Sequence, residues 1–380
     1  MHIFFYIISL LLFGYGILID YYRRSWNKIP LFDFSSVQQQ NNTKVTIIIP
    51  ARNEENNICN CLESILKQTY PLALMEVIVV NDHSTDCTEE LVSSYKNPII
   101  RLINLQEHMS ASETQAFKKK AIEVAIEQSS GELIVTTDAD CLAPADWIKC
   151  LVLFHNQQHA AFIAAPVRMT DQSSLLSIFQ SLDFITLQGI TGASVYKKIY
   201  PMCNGANLAY SKSAFEAVNG FEGINTISSG DDMLLMQKMN KKFPEKIYFL
   251  KTRDAIVSTQ PAADWKSFFQ QRIRWSSKAD KYDNQKIFLT LLFVYAFNLC
   301  LIIFFVAACW NIHWLFIFIM LITAKTIAEF GFVHTVAIFF GQGYLMRYFF
   351  FLQPLHIAYI VIAGTMGKFG TYEWKNRKVK

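Results

Sequence analysis

"ELIVTTDADCLAPADWI", residues 132–148, runs an apolar, β-branched segment straight into two carboxylates, Asp138 and Asp140. As a strand, this run would put residues two apart on one face and aim both side chains the same way. Two like charges held that close repel unless one takes a proton or a cation lies between them. The segment is read either as a metal grip or as a pair of loop caps. Its neighbours in the chain have to decide between them.

Upstream, "KVTIIIPARNEE" (44–55) is another apolar strand running into a polar turn, and "NNICNCLESILKQTYP" (56–71) follows with helical periodicity and a proline stop. "MEVIVVNDHSTD" (75–86) is a second buried strand ending in Asp82. "EELVSSY" (89–95) gives a helix, "PIIRLINL" (98–105) a third strand, and "SETQAFKKKAIEVAIEQSSG" (112–131) a long amphipathic helix before the fourth strand. Strands rich in Val and Ile that alternate with helices predict an α/β domain with a mostly parallel sheet covered on both faces. Ligands bind such sheets outside the carboxyl ends of the strands. Those ends carry Pro50, Ala51, Arg52, Asn53 and Glu54, then Asn81 and Asp82, then Asp138 and Asp140.

The composition points elsewhere than to a soluble enzyme. Of 380 residues, 52% are hydrophobic and 17% charged, against about 25% charged in soluble domains. A net charge of +4 is too mild to argue for nucleic-acid binding. The eight cysteines are scattered and read as reduced thiols. Residues 1–24 hold an apolar run long enough to span a bilayer, and Arg23, Arg24 and Lys28 follow on what the positive-inside rule makes the cytoplasmic side. Residues 286–368 hold about three further membrane helices. The middle one is interrupted by Lys325 and Glu329, so it reads as one span with a buried ion pair or as two short segments. Three crossings would put the basic tail "EWKNRKVK" outside, against that rule, and an inside tail is expected.

No GxGxxG follows the first strand and no GxxxxGK[ST] occurs, which argues against a dinucleotide oxidoreductase and a P-loop NTPase. Carboxylates at a sheet edge suit Mg²⁺ or Mn²⁺ bridging to a diphosphate. At this point six motifs in order, "IIIPARNEE", "VIVVNDHSTD", "TTDADCLAPADWI", "NGANLAYSKSAFEAVNGF", "SGDDMLL" and "QQRIRW", resemble the family 2, GT-A fold glycosyltransferases. Residues 44–280 look most like the membrane-bound branch with cellulose, hyaluronan and poly-N-acetylglucosamine synthases and ceramide glucosyltransferase.

That resemblance implies a Rossmann-like GT-A domain and a set of roles. Pro50 to Glu54 and Asp82 would hold the base and ribose of a nucleotide-diphosphate sugar, a UDP-sugar in the first instance. Asp138 would lie against the donor, and Asp140 would bind Mg²⁺ or Mn²⁺ with it. Lys120 falls where the family has a lysine near the donor, although "KKK" read alone is a solvated helix face. Asp231 and Asp232 open a helix, where they could simply cap it; in the family the second of them deprotonates the acceptor hydroxyl. Gln271, Arg274 and Trp275 match QxxRW, with Arg274 on the departing diphosphate and Trp275 against donor or acceptor. Asn204, Gly205 and Asn207 would approach the acceptor, a plain turn being the other reading. The expected reaction is inverting transfer at a bacterial-type inner or plasma membrane, with the catalytic domain cytoplasmic. The acceptor would be a membrane lipid or a growing glycan, as in a processive exopolysaccharide synthase. A non-catalytic nucleotide-sugar-binding subunit would be expected to lack Asp140, Asp232 or Arg274, and all are present. Asp146 and Trp147 are expected to start a helix leading towards the acceptor side.

Overall fold

The computed structural model describes residues 2–36, 42–109, 116–170, 173–227, 230–278, 285–369, 372–374 and 377–379. The chain forms two compact units, one from residues 30–170 and 201–260, the other from 1–29, 171–200 and 261–380.

The first unit is built on a seven-stranded sheet. Strands β1 (Val45–Ala51), β2 (Met75–Asn81), β3 (Ile100–Asn104) and β4 (Leu133–Thr136) are followed by β5 (Phe162–Ala164), β6 (Val167–Met169), β7 (Leu208–Ser211), β8 (Ile247–Phe249) and β9 (Val257–Thr259). The sheet order is β3-β2-β1-β4-β7-β5-β8, and β6 pairs separately with β9. β3, β2, β1 and β4 are mutually parallel, as the alternation of strands and helices predicts. β7 then runs antiparallel to both β4 and β5. Ile47, Ile48 and Ile49 are all fully buried, so neighbours that point to opposite faces are both covered. This is why the strand reads as a continuous apolar run rather than an alternating one.

One sequence expectation fails here. β4 ends at Thr136, and Asp138, Ala139 and Asp140 lie beyond it in a turn closed by the Cys141 N–H donating to the Asp138 carbonyl (3.1 Å). The last bond to the sheet is made by the Thr137 N–H to the Ile48 carbonyl. With the ladder finished, the period-two rule no longer applies, and the two carboxylates do not share a strand face. The helix expected next does form, Trp147–Gln158 directly after Asp146.

The second unit is helical. Among the described residues its α-helices are His2–Lys28, Leu175–Tyr196, Trp265–Ser276, Gln285–Ala308, Ile312–Phe339 and Phe349–Phe369. A short 3₁₀ segment, Gly343–Tyr348, leads into the last of these, and the pair Tyr372–Trp374 with Arg377–Val379 forms a small antiparallel ladder. Three segments among the described residues, Gln285–Ala308, Ile312–Phe339 and Gly343–Phe369, are long and apolar enough to cross a membrane. The middle one is a single 28-residue helix, not two short segments. Lys325 and Glu329 lie inside it, both buried, 2.7 Å apart. Phe351 is 83% exposed and Trp310 79%.

Candidate active site

The first two strand ends are tied to each other. The Asp82 N–H donates to the Ala51 carbonyl (2.8 Å), continuing the ladder in which Pro50 pairs with Val80. The Arg52 guanidinium donates to the Asp82 carbonyl at 2.9 Å and lies 3.8 Å from its carboxylate. Asp82 is buried, and its carboxylate also meets His83 Nδ1 at 2.9 Å. Asn53 takes a left-handed backbone, φ 51°, and its side-chain oxygen accepts from the Thr85 N–H. The Glu54 N–H donates to Thr88 Oγ1, and its carboxylate accepts from Asn57 Nδ2. These residues therefore shape one rim by pairing across two loops.

The third and fourth clusters meet around a lysine. Lys118, on the helix Phe117–Glu127, holds Asp138 Oδ1 at 2.7 Å and Asp231 Oδ2 at 3.4 Å. Burial works to lower its pKa, but the charges of Asp138 and Asp231 outweigh that and raise it, so Lys118 stays protonated. The cation demanded by neighbouring carboxylates is thus supplied in part by the chain itself. The helix Asp231–Lys242 starts after Gly230, whose φ of +76° turns the chain into it. Asp232 Oδ2 accepts the Gly205 N–H at 3.0 Å, and Oδ1 accepts from Met233 N–H at 2.7 Å. A Cβ on Gly205 would lie 3.3 Å from Lys118 Nζ and 3.5 Å from Asp232 Oδ2. The Gly205 backbone thus lies close against both Lys118 and Asp232. Asn204 closes the same turn, its Oδ1 accepting from the Ala206 N–H.

Two assignments change. Lys120 pairs with Glu123 on its own helix at 3.7 Å, and Lys118 is the lysine that reaches the carboxylates. A sequence count could not choose among three successive lysines, because the phase of the helix was not known. Asn207 is fully buried, with Oδ1 accepting from Trp147 Nε1 and Nδ2 donating to the carbonyls of Pro166 and Ala255. Its amide is used on three internal partners, so it supports the turn from behind rather than facing an acceptor. Trp147 is buried in the same way.

Two thiols flank the aspartates, Cys61 within 3.8 Å of the Asp138 carbonyl and Cys141 within 3.5 Å of Asp140 Oδ1. Burial, then the charge of Asp140, pushes both thiols up, so neither supplies a thiolate nucleophile. Among the described residues no three His, Cys, Asp or Glu side chains gather as a ready-made metal cage. Oxygen donors in ones and twos are nevertheless what Mg²⁺ and Mn²⁺ accept when phosphate and water complete the shell. Asp138 Oδ1 meets Lys118, and Asp140 Oδ2 accepts from Thr259 Oγ1 at 3.3 Å; these two carboxylates are the ones that could hold a metal.

Gln271, Arg274 and Trp275 lie on the helix Trp265–Ser276 in the second unit. All three are partly exposed, while Arg272 between them is buried.

Known proteins resemble this chain in family and in fold. The profile of glycosyl transferase family group 2 matches residues 133–364, and that of glycosyl transferase family 2 matches residues 46–218. The chain belongs to glycosyl transferase family group 2. It is 27% identical over 239 residues to the probable glycosyltransferase YdaM of Bacillus subtilis, covering 61% of this chain and 54% of that one. It is 35% identical over 105 residues to the glycosyltransferase AglE of Haloferax volcanii, covering 28% of this chain and 33% of that one. The chain thus spans about half or less of the length of these relatives. Its fold is shared with the mannosyltransferase PcManGT from Pyrobaculum calidifontis, solved with GDP-Man and Mn²⁺, at a TM-score of 0.54 and 19% identity over 95% of this chain and 96% of that one. The GT-A fold expected from the motifs is the fold observed.

Proposed function

We propose that this protein is a membrane-bound, inverting glycosyltransferase that moves a sugar from a nucleotide-diphosphate sugar to a hydroxyl of a membrane lipid or growing glycan. The observation that carries this reading is the meeting of Lys118, Asp138, Asp231, Asp232 and Gly205 at one sheet edge. The donor's nucleotide belongs on the rim made by Pro50 to Glu54 and Asp82. Lys118 offers positive charge to the diphosphate once Asp138 turns towards the donor. Asp232, held by two backbone N–H groups, takes the proton from the acceptor hydroxyl, whose oxygen attacks the anomeric carbon from the face opposite the leaving group. Asp140 would hold Mg²⁺ or Mn²⁺, which when bound supplies charge neutralisation for the leaving diphosphate. The QxxRW motif assigns Arg274 to the same developing charge and Trp275 to packing on donor or acceptor.

Membrane attachment is supported by the three long apolar helices and by the apolar N-terminal helix His2–Lys28, with Asp20, Arg23 and Arg24 paired at its far end. The positive-inside rule places that end, and the transferase unit with it, in the cytoplasm.

The test is to incubate membranes containing the full chain with radiolabelled UDP-glucose, UDP-N-acetylglucosamine and GDP-mannose plus Mn²⁺ or Mg²⁺. Organic extraction then separates labelled lipid from polymer. Asp140→Asn and Asp232→Asn are each expected to abolish transfer while the protein still inserts. Near-normal turnover in either variant, or no transfer from any donor by the unaltered chain, would overturn the reading.

A further inference from the structure

Within the second unit, the helix that carries Gln271, Arg274 and Trp275 is gripped from one side by two polar residues of another helix. Arg272, between the motif residues, meets Asp183 at 2.7 Å, each side chain only 3% exposed. The Arg272 guanidinium carbon lies 4.3 Å from the centre of the Trp275 ring and 5.0 Å from that of Phe268. Asp183 is held in turn by the Tyr359 hydroxyl, which donates to Oδ1 at 2.6 Å. Three residues earlier on the helix Leu175–Tyr196, buried Gln180 bonds both backbone groups of Ala262, each at 2.9 Å. Gln180 and Asp183 share a helix face. The motif helix is thus fixed at its approach through Ala262 and at its middle through Arg272.

Stability alone is a weak reason for such a pair. Apolar side chains of similar volume join two buried surfaces at least as well, because neither charge has to leave water. An ion pair on a planar guanidinium that also stacks on the Trp275 ring does something apolar packing does not. It admits one roll of the motif helix about its axis. We propose that Asp183 is a positioning residue for sugar transfer: through Arg272 it sets the roll of the helix Trp265–Ser276 and so the presentation of Trp275 and Arg274. The inference rests on the reading that this motif serves the donor.

The experiment uses the full chain, the labelled donor that the unaltered protein transfers, and thermal midpoints of the detergent-purified variants. Asp183→Asn alone leaves Arg272 buried without its counter-charge, so Asp183→Asn with Arg272→Met is the decisive variant. It is expected to regain the thermal midpoint yet lose about tenfold or more in kcat, the scale at which small misplacements act, with donor KM changed less than about threefold. Recovery of both midpoint and kcat would overturn the proposal and leave the pair a structural one. Should the double variant fail to fold, Tyr359→Phe removes only the hydroxyl that orients Asp183. A several-fold fall in kcat at unchanged KM supports the proposal there, and a normal kcat overturns it. Arg274→Ala separates the two readings. If it transfers normally, the role given to the motif is wrong; if it is dead while the double variant is normal, only the positioning inference fails.

Discussion

Lys118 shows how much depends on a single helix phase. Residues two apart on a helix point about 200° away from each other, so a shift from Lys120 to Lys118 replaces a lysine paired with Glu123 on its own helix by the bridge between Asp138 and Asp231. "KKK" announces a lysine near the carboxylates but not which one. The same scale yields a pH prediction at Lys251, a buried lysine just after β8 whose pKa is pushed down to about 8 by burial. An unfolded lysine titrates near 10.4. Between about pH 8 and 10.4 the unfolded chain therefore binds a proton that the folded chain has released, and stability rises with pH across that window. Below it both states are protonated and the burial penalty is constant. The thermal midpoint of the unaltered protein, measured relative to Lys251→Met, is expected to climb between pH 8 and 10; parallel profiles would refute this assignment.

At the scale of elements, a charged pair sits in the middle of an apolar helix. Lys325 and Glu329 are four residues apart, and their helix buries them against Gln353, Tyr15 and His356, whose Nδ1 lies 3.4 Å from Lys325 Nζ. Lys325 donates to Gln353 at 2.8 Å, Gln353 donates to Glu329 at 2.8 Å, and the Tyr15 hydroxyl donates to Glu329. Spacing alone shows the pair, because i and i+4 share a helix face. It does not show the other partners, which come from residues hundreds of positions or one helix away. Lys325→Met should lower stability by about 3–5 kcal/mol, since it strands a buried carboxylate, whereas Lys325→Met with Glu329→Gln should recover most of the loss. Chemical or thermal unfolding of the purified protein measures both, and an additive double variant would show that the two charges are not coupled. The same non-local dependence explains the sheet. Apolar runs identify β1 to β4 and their parallel pairing, but that β7 inserts antiparallel beside β4 depends on a partner some seventy residues further along the chain.

For the whole molecule, hydropathy counts three crossings after Gln285 and sends the basic tail to the side opposite Ser276. Packing within the helical unit argues otherwise. Ser276 Oγ donates to the Ala363 carbonyl at 2.7 Å, and the Tyr295 and Thr365 hydroxyls meet at 2.8 Å. The end of the third apolar helix thus lies beside the end of the helix Trp265–Ser276 and against Tyr295, near the middle of Gln285–Ala308, so the tail is expected to leave on the side of Ser276. A C-terminal fluorescent-protein fusion should glow and an alkaline-phosphatase fusion should be inactive in bacterial cells; the reverse pattern would refute the arrangement. The residues of the chain determined the parallel α/β core, the apolar helices and the identity of the carboxylates, because strand periodicity, helix periodicity and charge are local properties. Tertiary structure decided which lysine faces Asp138, that "DAD" is a turn rather than a strand end, that Asn207 is a buried strut, and that Arg272 is locked to Asp183. Each of these depends on groups far apart in sequence competing for one buried space, and only packing determines which of them meet.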